Sequence, residues 1–107
     1  MISLTYVLCK SFKMENIVLH VYYTGAPGRA SAFAEKMRRT LRSEIINEPG
    51  CLQYDYFTSL ADGDTVLLVE RWRDHVSLDC HSAGEPMAKL KQMKDTYCLS
   101  TRVERYE

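Results

Sequence analysis

The chain of 107 residues is predicted to form an α+β fold, a ferredoxin-like split β-α-β-β-α-β sandwich. Stretches rich in β-branched and aromatic residues alternate with stretches whose apolar residues recur every three or four positions. Clusters of Gly, Pro and Asp separate these stretches, and no long linker divides the chain. This order is typical of one antiparallel sheet with two helices on one of its faces.

The first strand and the first helix are predicted within residues 16–45. Residues 16–23 (NIVLHVYY) have the composition of a strand, and the glycines and proline of 24–28 (TGAPG) end it. From Arg29 onward, apolar residues recur with helical spacing and charged residues lie between them, which predicts an amphipathic helix of about four turns. The EPG turn at 48–50 ends this helix, because proline cannot continue a helix and glycine tolerates the turn.

A hairpin is predicted next. Residues 51–59 (CLQYDYFTS) and 65–72 (TVLLVERW) have strand composition, and the Asp62-Gly63 pair between them is a typical hairpin signal. Asp74 then stands where the N-cap of a helix is expected. The third strand and the following helix should therefore meet in a tight corner.

The second helical region is predicted to weaken at Gly84 and Pro86 and to resume over 86–97. Residues 98–106 (CLSTRVERY) form the last predicted strand. Apolar residues occupy both parities of the strands, so both faces of the sheet are expected to be apolar. Because so short a chain cannot cover both faces, we expect a second copy to cover one of them in a two-fold homodimer.

Composition and charge exclude several classes of function. The formal net charge is zero and no basic stripe appears, so a nucleic-acid partner is not expected. The apolar runs are too short to span a bilayer, so a membrane partner is not expected either. The chain has no GxGxxG after a strand, no Walker loop and no GxSxG, which removes the usual support for nucleotide binding and acyl transfer.

The cysteines and the N-terminal segment indicate a cytoplasmic protein. The four cysteines form no CxxC and show no zinc-like spacing with histidine, which favours free thiols over disulfides or metal binding. Residues 1–13 lack the features of a secretory signal. We predict that they form an N-terminal arm, with SLTYVLCK (3–10) as a possible extra strand at a sheet edge, unless the protein starts at Met14. Residues 14–107 are the predicted domain.

Two motifs then carry a resemblance. EPGCLQY (48–54) and VERWRDHVSLDCH (69–81), in this order between helices and strands, resemble the antibiotic biosynthesis monooxygenase superfamily over about residues 16–106. The resemblance implies a dimeric α/β barrel in which two sheets pair, with the helices outside and a cavity between the sheet and helices of each subunit. Members of this superfamily include cofactor-free oxygenases of phenols and quinols, haem-degrading enzymes and a sugar-phosphate isomerase. The resemblance therefore predicts the fold more directly than the reaction.

His20 and His81 are the predicted catalytic residues. His20 is a polar ring in the middle of an apolar strand, and it is either a pocket acid or base or a histidine satisfied at the dimer face. His81 lies three residues after Leu78 on the same helical face, and it is either a general base or a helix-end histidine stabilised by the helix dipole.

Trp72, Tyr54 and Tyr22 are the predicted substrate contacts. The family resemblance favours Trp72 as an aromatic wall of the cavity, and a core indole is the other interpretation. Tyr54 either orients a substrate oxygen or fills the core with its hydroxyl reaching water. Glu70 shares the strand face of Trp72, and we expect an arginine of a neighbouring strand to pair with it, because an unpaired buried charge is costly.

The predicted function is a cofactor-free, metal-free monooxygenase that oxidises a small quinol or phenol-like aromatic with O2. A histidine would take the phenolic proton, and apolar walls would keep reactive intermediates from water. Three alternatives remain at this stage: a haem-binding or haem-degrading monooxygenase, an isomerase of a small phosphorylated sugar, and a non-catalytic dimer that binds a hydrophobic molecule. His20 and Asn16 stand near the place where the haem-degrading members resembled here use an asparagine, and this difference counts against haem degradation.

Overall fold

A computed structural model describes residues 16–107 of the protein. The strands are β1 (Ile17–Thr24), β2 (Cys51–Thr58), β3 (Thr65–Trp72) and β4 (Ser100–Tyr106). The helices are α1 (Arg29–Thr40), α2 (Arg42–Ile45), α3 (His75–Ala83) and α4 (Glu85–Thr96). The predicted N-terminal arm, residues 1–13, lies outside the described residues.

The four strands form one sheet in the order β2-β3-β1-β4, and every neighbouring pair is antiparallel. This is the strand order of the split β-α-β-β-α-β sandwich, so the predicted fold class is confirmed. In the register of the sheet, Leu19 lies opposite Glu70, and Glu70 lies opposite Tyr54. Since side chains alternate between the two faces of a strand, this register decides which side chains lie together on the face that packs against the helices.

The helices cover one face of the sheet, called the inner face below. Its side chains and the apolar stripes of α1, α3 and α4 form a single core. The buried apolar residues are Ile17, Val21, Tyr23, Ala30, Phe33, Ala34, Met37, Leu41, Ile45, Tyr54, Val66, Leu68, Trp72, Leu78 and Leu90. Within residues 16–107, the core therefore supports the sheet from one side.

The opposite, outer face of the sheet carries no helix of the described chain. It presents a mixture of apolar, aromatic and charged side chains, all of them partly or largely exposed: Val18, His20, Tyr22, Phe57, Leu67, Val69, Arg71, Arg102, Glu104 and Tyr106. This face is less apolar than the sequence predicts. Strand alternation places three charged side chains on it, those of Arg71, Arg102 and Glu104.

The first helical segment is broken where a single helix is predicted. α1 ends at Thr40, Leu41 is buried with φ of −100°, and α2 starts at Arg42. The Arg42 guanidinium reaches β2, where Nε donates to the carbonyl oxygen of Tyr54 (2.8 Å) and Nη2 donates to Asp55 Oδ1 (2.9 Å). These bonds tie α2 to β2.

The corner between β3 and α3 follows the prediction closely. β3 ends at Trp72, and Asp74 caps α3 by accepting a hydrogen bond from the Ser77 backbone N–H (2.8 Å from Oδ1). Gly50 packs against the same corner with φ of +81°, and a Cβ there would lie 2.0 Å from Ser77 Oγ. The turn that carries Glu48 is thereby held against the start of α3.

The last strand begins later than predicted. The chain leaves α4 through Cys98, whose φ of +56° lies in the left-handed region, and β4 starts only at Ser100. No helix in residues 16–107 has the length and apolar character that a membrane span requires.

Candidate active site

His81 and Trp72 meet at the corner between β3 and α3. Strand alternation turns Trp72 towards the helices, and the i,i+3 spacing places His81 on the same face of α3 as buried Leu78. The two rings stack with 4.5 Å between centroids and 27° between planes. Both side chains are buried, with relative exposures of 0% for Trp72 and 3% for His81.

Two carboxylates extend this pair into a row of four side chains. Glu70 Oε1 accepts a hydrogen bond from the indole Nε1–H of Trp72 (3.0 Å) and lies 3.8 Å from His81 Nε2. On the other side of the imidazole, Nδ1 lies 2.8 Å from Glu48 Oε1. Trp72, Glu70, His81 and Glu48 form what we call the buried row.

The prediction that an arginine of a neighbouring strand pairs with Glu70 is wrong. Its hydrogen-bond donor is the indole of Trp72, two residues further along the same strand. Burial raises the pKa of Glu70, because the charged form loses its hydration. The Trp72 hydrogen bond and nearby His81 lower this pKa in part, and Glu48 raises it.

A cavity of about 150 Å³ opens beside Glu70, between the inner face of the sheet and α4. Its walls are mostly apolar: Leu19, Val21, Val103, Met87 and Leu90, with Tyr23, Thr101, Lys91 and Lys94 completing the lining. Glu70 is the member of the buried row that lines this cavity. A ligand in the cavity would thus face the carboxyl group of Glu70. Trp72 and His81 do not line this cavity, so the interpretation of Trp72 as its aromatic wall is corrected: Trp72 is a core indole.

Tyr54 belongs to the same neighbourhood. Its ring lies edge-on to His81 with 6.0 Å between centroids, and its position on β2 is opposite Glu70. The phenol oxygens of Tyr54 and Tyr56 are buried next to one another, and each hydroxyl affects the pKa of the other. Outside this pair, neither hydroxyl finds a hydrogen-bond partner among residues 16–107. Burial raises the pKa of Tyr54, so this hydroxyl keeps its proton at neutral pH.

The structure separates His20 and Tyr22 from this group. Both point to the outer face, because they alternate with Leu19 and Val21 along β1. His20 packs edge-on against Tyr106 with 5.0 Å between ring centroids. The expectation that His20 or Tyr22 shares a cavity with Trp72 is therefore corrected by strand parity.

Tyr22 has a set of partners of its own on the outer face. Its hydroxyl donates to Glu104 Oε1 (3.3 Å), and the Arg102 guanidinium carbon lies 4.1 Å above the centre of its ring. These contacts arise across the β1–β4 pairing, where Tyr22 lies opposite Arg102.

Sequence reasoning missed four groups of this site. In the sequence, Glu48 is recognisable only as part of a helix-ending turn, and nothing local indicates that it reaches a histidine 33 positions away. Tyr23, Lys91 and Lys94 line the cavity without any motif. The regular spacing of Lys91 and Lys94 after Leu90 was the one available signal, since it continues the inward stripe of α4.

The possible metal ligands and the thiols of the described chain were also located. Residues 16–107 contain no group of three His, Cys, Asp or Glu side chains arranged to hold a metal ion. Cys51, Cys80 and Cys98 form no disulfide there. Burial raises the pKa of the Cys51 thiol to about 11, so it is protonated and unreactive at neutral pH.

Comparison with known proteins identifies one family. Residues 16–92 match the family model described as antibiotic biosynthesis monooxygenase. No curated protein matches the chain.

Solved structures agree with the observed fold. A protein from Pseudomonas aeruginosa is 27% identical, with 88% of this chain and 93% of that chain covered and a TM-score of 0.73. A protein of unknown function from Bacteroides thetaiotaomicron, described as a possible oxidoreductase, is 21% identical with a TM-score of 0.78 and coverage of 89% and 99%. A candidate antibiotic biosynthesis monooxygenase from Deinococcus radiodurans is 16% identical with a TM-score of 0.75 and coverage of 85% and 90%.

Proposed function

Because the chain belongs to the antibiotic biosynthesis monooxygenase family, we propose that it is a cofactor-free monooxygenase that oxidises a small quinol or phenol with O2. The observation that carries this proposal is Glu70, a buried carboxyl of raised pKa that faces an apolar cavity. An ordinary carboxylate is a weak base, and a raised pKa brings its proton affinity closer to the working pH. An apolar cavity of this kind suits a flat aromatic.

The first step of the proposed reaction is proton removal. The carboxylate of Glu70 takes the hydroxyl proton of the bound ring, and an electron-rich phenolate remains. His81 Nε2, 3.8 Å from Glu70 Oε1, is the next position for that proton. When Nδ1 of His81 donates its hydrogen to Glu48, Nε2 of the neutral ring is left as the acceptor. Glu70 is thus the catalytic residue, and His81 and Glu48 are positioning residues.

Oxygen then reacts with the phenolate. The phenolate transfers one electron to O2, and the resulting substrate radical and superoxide combine through a new C–O bond to give a peroxide anion. This anion takes up the proton removed in the first step and becomes a hydroperoxide. Loss of the proton from that carbon and cleavage of the O–O bond release water and leave a carbonyl. For a quinol, one oxygen atom stays on the ring, the other leaves as water, and the substrate supplies all four electrons. The apolar walls limit access of water to these intermediates.

Trp72 and Tyr54 support this step from behind and beside Glu70. The indole N–H fixes the carboxyl orientation, and its stacking on His81 fixes the imidazole plane. We propose that the buried hydroxyl of Tyr54 orients Glu70 or a substrate oxygen. We assign no role in this step to His20 or Tyr22, since they lie on the outer face.

We also propose that the protein is a homodimer that buries the outer face. Phe57 and Tyr106 are exposed to 48% and 50% there. Such an assembly would leave the cavity of each subunit on the side away from the partner sheet.

An oxygen electrode tests the proposed reaction. Purified protein is given a panel of mono- and bicyclic quinols, with and without a metal chelator, and O2 uptake is compared with product formation. Uptake that survives the chelator, with one oxygen atom from ¹⁸O2 retained in the product, supports the proposal. Binding without uptake across the panel contradicts it and favours a ligand-binding protein, and colour on addition of haem favours a haem protein.

A further inference from the structure

We infer that the aromatic substrate carries an anionic substituent, which Lys91 and Lys94 bind at the mouth of the cavity beside Glu70. This inference rests on the proposed function insofar as the ligand is a substrate; the anion site itself depends on the side chains of α4 alone. It narrows the substrate class from quinols and phenols in general to those with a carboxylate or a similar anion.

One face of α4 supplies a wall with two chemical characters. Met87, Leu90, Lys91 and Lys94 all line the cavity, and their spacing places them on a single stripe of the helix. The first two are apolar and at least partly buried, whereas Lys91 is exposed and Lys94 is half-buried. The stripe therefore changes from apolar to cationic as it approaches solvent.

Neither lysine is neutralised within residues 16–107. No carboxylate of the described chain lies within ion-pair distance of Lys91 or Lys94. Lys89, on a different face of the same helix, pairs with Glu85 at 3.4 Å. The cavity thus presents two cations whose charge is left for a ligand.

Lys91 and Lys94 lie towards the end of the cavity that is opposite Glu70. β3 and β4 both run antiparallel to β1, so the helix that connects them runs back alongside β1, from the Leu19 end towards the Tyr23 end. Glu70 lies opposite Leu19, whereas Thr101, which also lines the cavity, lies opposite Tyr23. From Met87 to Lys94 the helix advances by roughly 10 Å.

The polarity and size of the cavity define the ligand. A cavity of about 150 Å³ holds about one six-membered aromatic ring, as apolar cavities of that size do elsewhere. Such a ring would lie against Val21 and Leu90, with a hydroxyl towards Glu70 and an anionic substituent towards Lys94. Ammonium groups favour carboxylate or phosphate oxygens through charge-assisted hydrogen bonds.

A matched pair of ligands tests this inference by equilibrium binding, measured without O2 so that turnover plays no part. The pair is 2,5-dihydroxyphenylacetate and its methyl ester, which differ in charge but share the ring. The protein variants are Lys91→Gln/Lys94→Gln and, as the matched control, Lys89→Gln on the same helix outside the cavity. Circular dichroism confirms that each variant is folded.

We expect the acid to bind the native protein at least about tenfold more tightly than the ester, which corresponds to one or two charge-assisted hydrogen bonds. The double variant should lose that preference and leave ester binding within about twofold, and Lys89→Gln should change neither. Equal affinity for acid and ester, or an equal loss in Lys89→Gln, overturns the inference. If inorganic phosphate competes for the site as strongly as the acid does, the aromatic ring contributes nothing to binding, and the inference of an aromatic ligand is overturned.

The same measurements separate this inference from the proposed function. If the acid binds through the two lysines but is not oxidised when O2 is admitted, the anion site stands and the proposed reaction falls. If the ester is oxidised as efficiently as the acid and binds as tightly, the reaction stands and the anion site falls.

Discussion

Glu70 and Trp72 face the same way from one strand, and the indole N–H of Trp72 is bonded to the Glu70 carboxyl at 3.0 Å. A buried carboxylate without a donor would be costly, and the indole supplies a donor without adding a charge. This leaves the pKa of Glu70 raised rather than clamped low, as an arginine partner would have left it. The contact thus stabilises a group that is still able to exchange its proton.

Replacement of Glu70 by glutamine should lower turnover by about a hundredfold or more, the usual range for losing a positioned base. Glutamine keeps the shape and can still accept from the Trp72 indole, so the fold should survive. The measurement is the steady-state rate of O2 uptake on any substrate found. Glu85→Gln, on the exposed start of α4, is the control, and a Glu70→Gln protein that retains a third of the rate would contradict the assignment.

Replacement of His81 by alanine should destabilise the protein by about 2–4 kcal/mol, because it removes a buried ring and leaves Glu48 and Glu70 without this partner. The view of His81 as an exposed helix-end residue predicts a loss of only about 0.3–1 kcal/mol, and its 3% exposure corrects that view. Urea denaturation measures the difference. His75→Ala, at the exposed start of α3, is the matched control and should cost well under 1 kcal/mol.

The stability of the protein should fall as pH rises through the raised pKa of Glu70. In that range the folded protein holds a proton on Glu70 that the unfolded chain, with an ordinary glutamate pKa, has already released. The folded state therefore binds more protons, and the free energy of unfolding decreases with rising pH; the stabilising contribution is complete only below the ordinary glutamate range. Glu70→Gln should be flat over the same window in urea titrations at several pH values.

Other ionisable groups surround Glu70, and the comparison with Glu70→Gln separates their effects. They come from the turn before β2, from α3, from β1 and β2, and from α4: Glu48, His81, Tyr23, Tyr54, Lys91 and Lys94. If the slope with pH is the same in Glu70→Gln as in the native protein, one of these groups causes it and the explanation given for Glu70 is wrong.

Replacement of Trp72 by phenylalanine should shift the acidic limb of the pH–rate profile to higher pH. The indole hydrogen bond lowers the pKa of Glu70, so its loss raises that pKa further. The carboxylate that acts as the base then forms only at higher pH. A weaker substrate affinity with an unmoved pH profile would instead favour Trp72 as a direct wall for the substrate. Stopped assays across pH distinguish the two outcomes, because one changes the midpoint and the other changes KM.

The outer face should hold two copies of the chain together. Light scattering at micromolar concentration should report about twice 12.4 kDa. Phe57→Lys places a charge on the outer face, where the native side chain is 48% exposed in the single chain, and should shift the equilibrium to monomer. Leu60→Lys, in the exposed hairpin loop, is the matched control. A native protein that is monomeric at this concentration contradicts the proposed assembly.

Local patterns in the sequence were sufficient for most of the elements. The Asp62-Gly63 turn and the Asp74 cap bracket β3, and its predicted bounds of 65–72 agree with the structure. The break at Leu41 was not predictable, because it accompanies bonds from Arg42 to β2 that form only in the folded chain.

The candidate site was predictable only where its residues are close in the chain. Trp72 and His81 meet because one strand-to-helix corner carries both. The position of His20 relative to them depends on the pairing of β1 with β3, and a slip of one residue would turn His20 to the other face. Strand composition does not contain that register, and no local rule brings Glu48 to His81.

The contacts of the buried row reach very different distances along the chain, two positions for Trp72–Glu70 and 33 for His81–Glu48. A transient opening that lifts α3 from the sheet would break the second contact and keep the first. Water would then reach Glu70 and favour its ionised form, so the open state gains population as the solution becomes more alkaline. Amide hydrogens of α3 should lose protection from exchange with rising pH beyond the intrinsic chemical rate, whereas those of β3 should not.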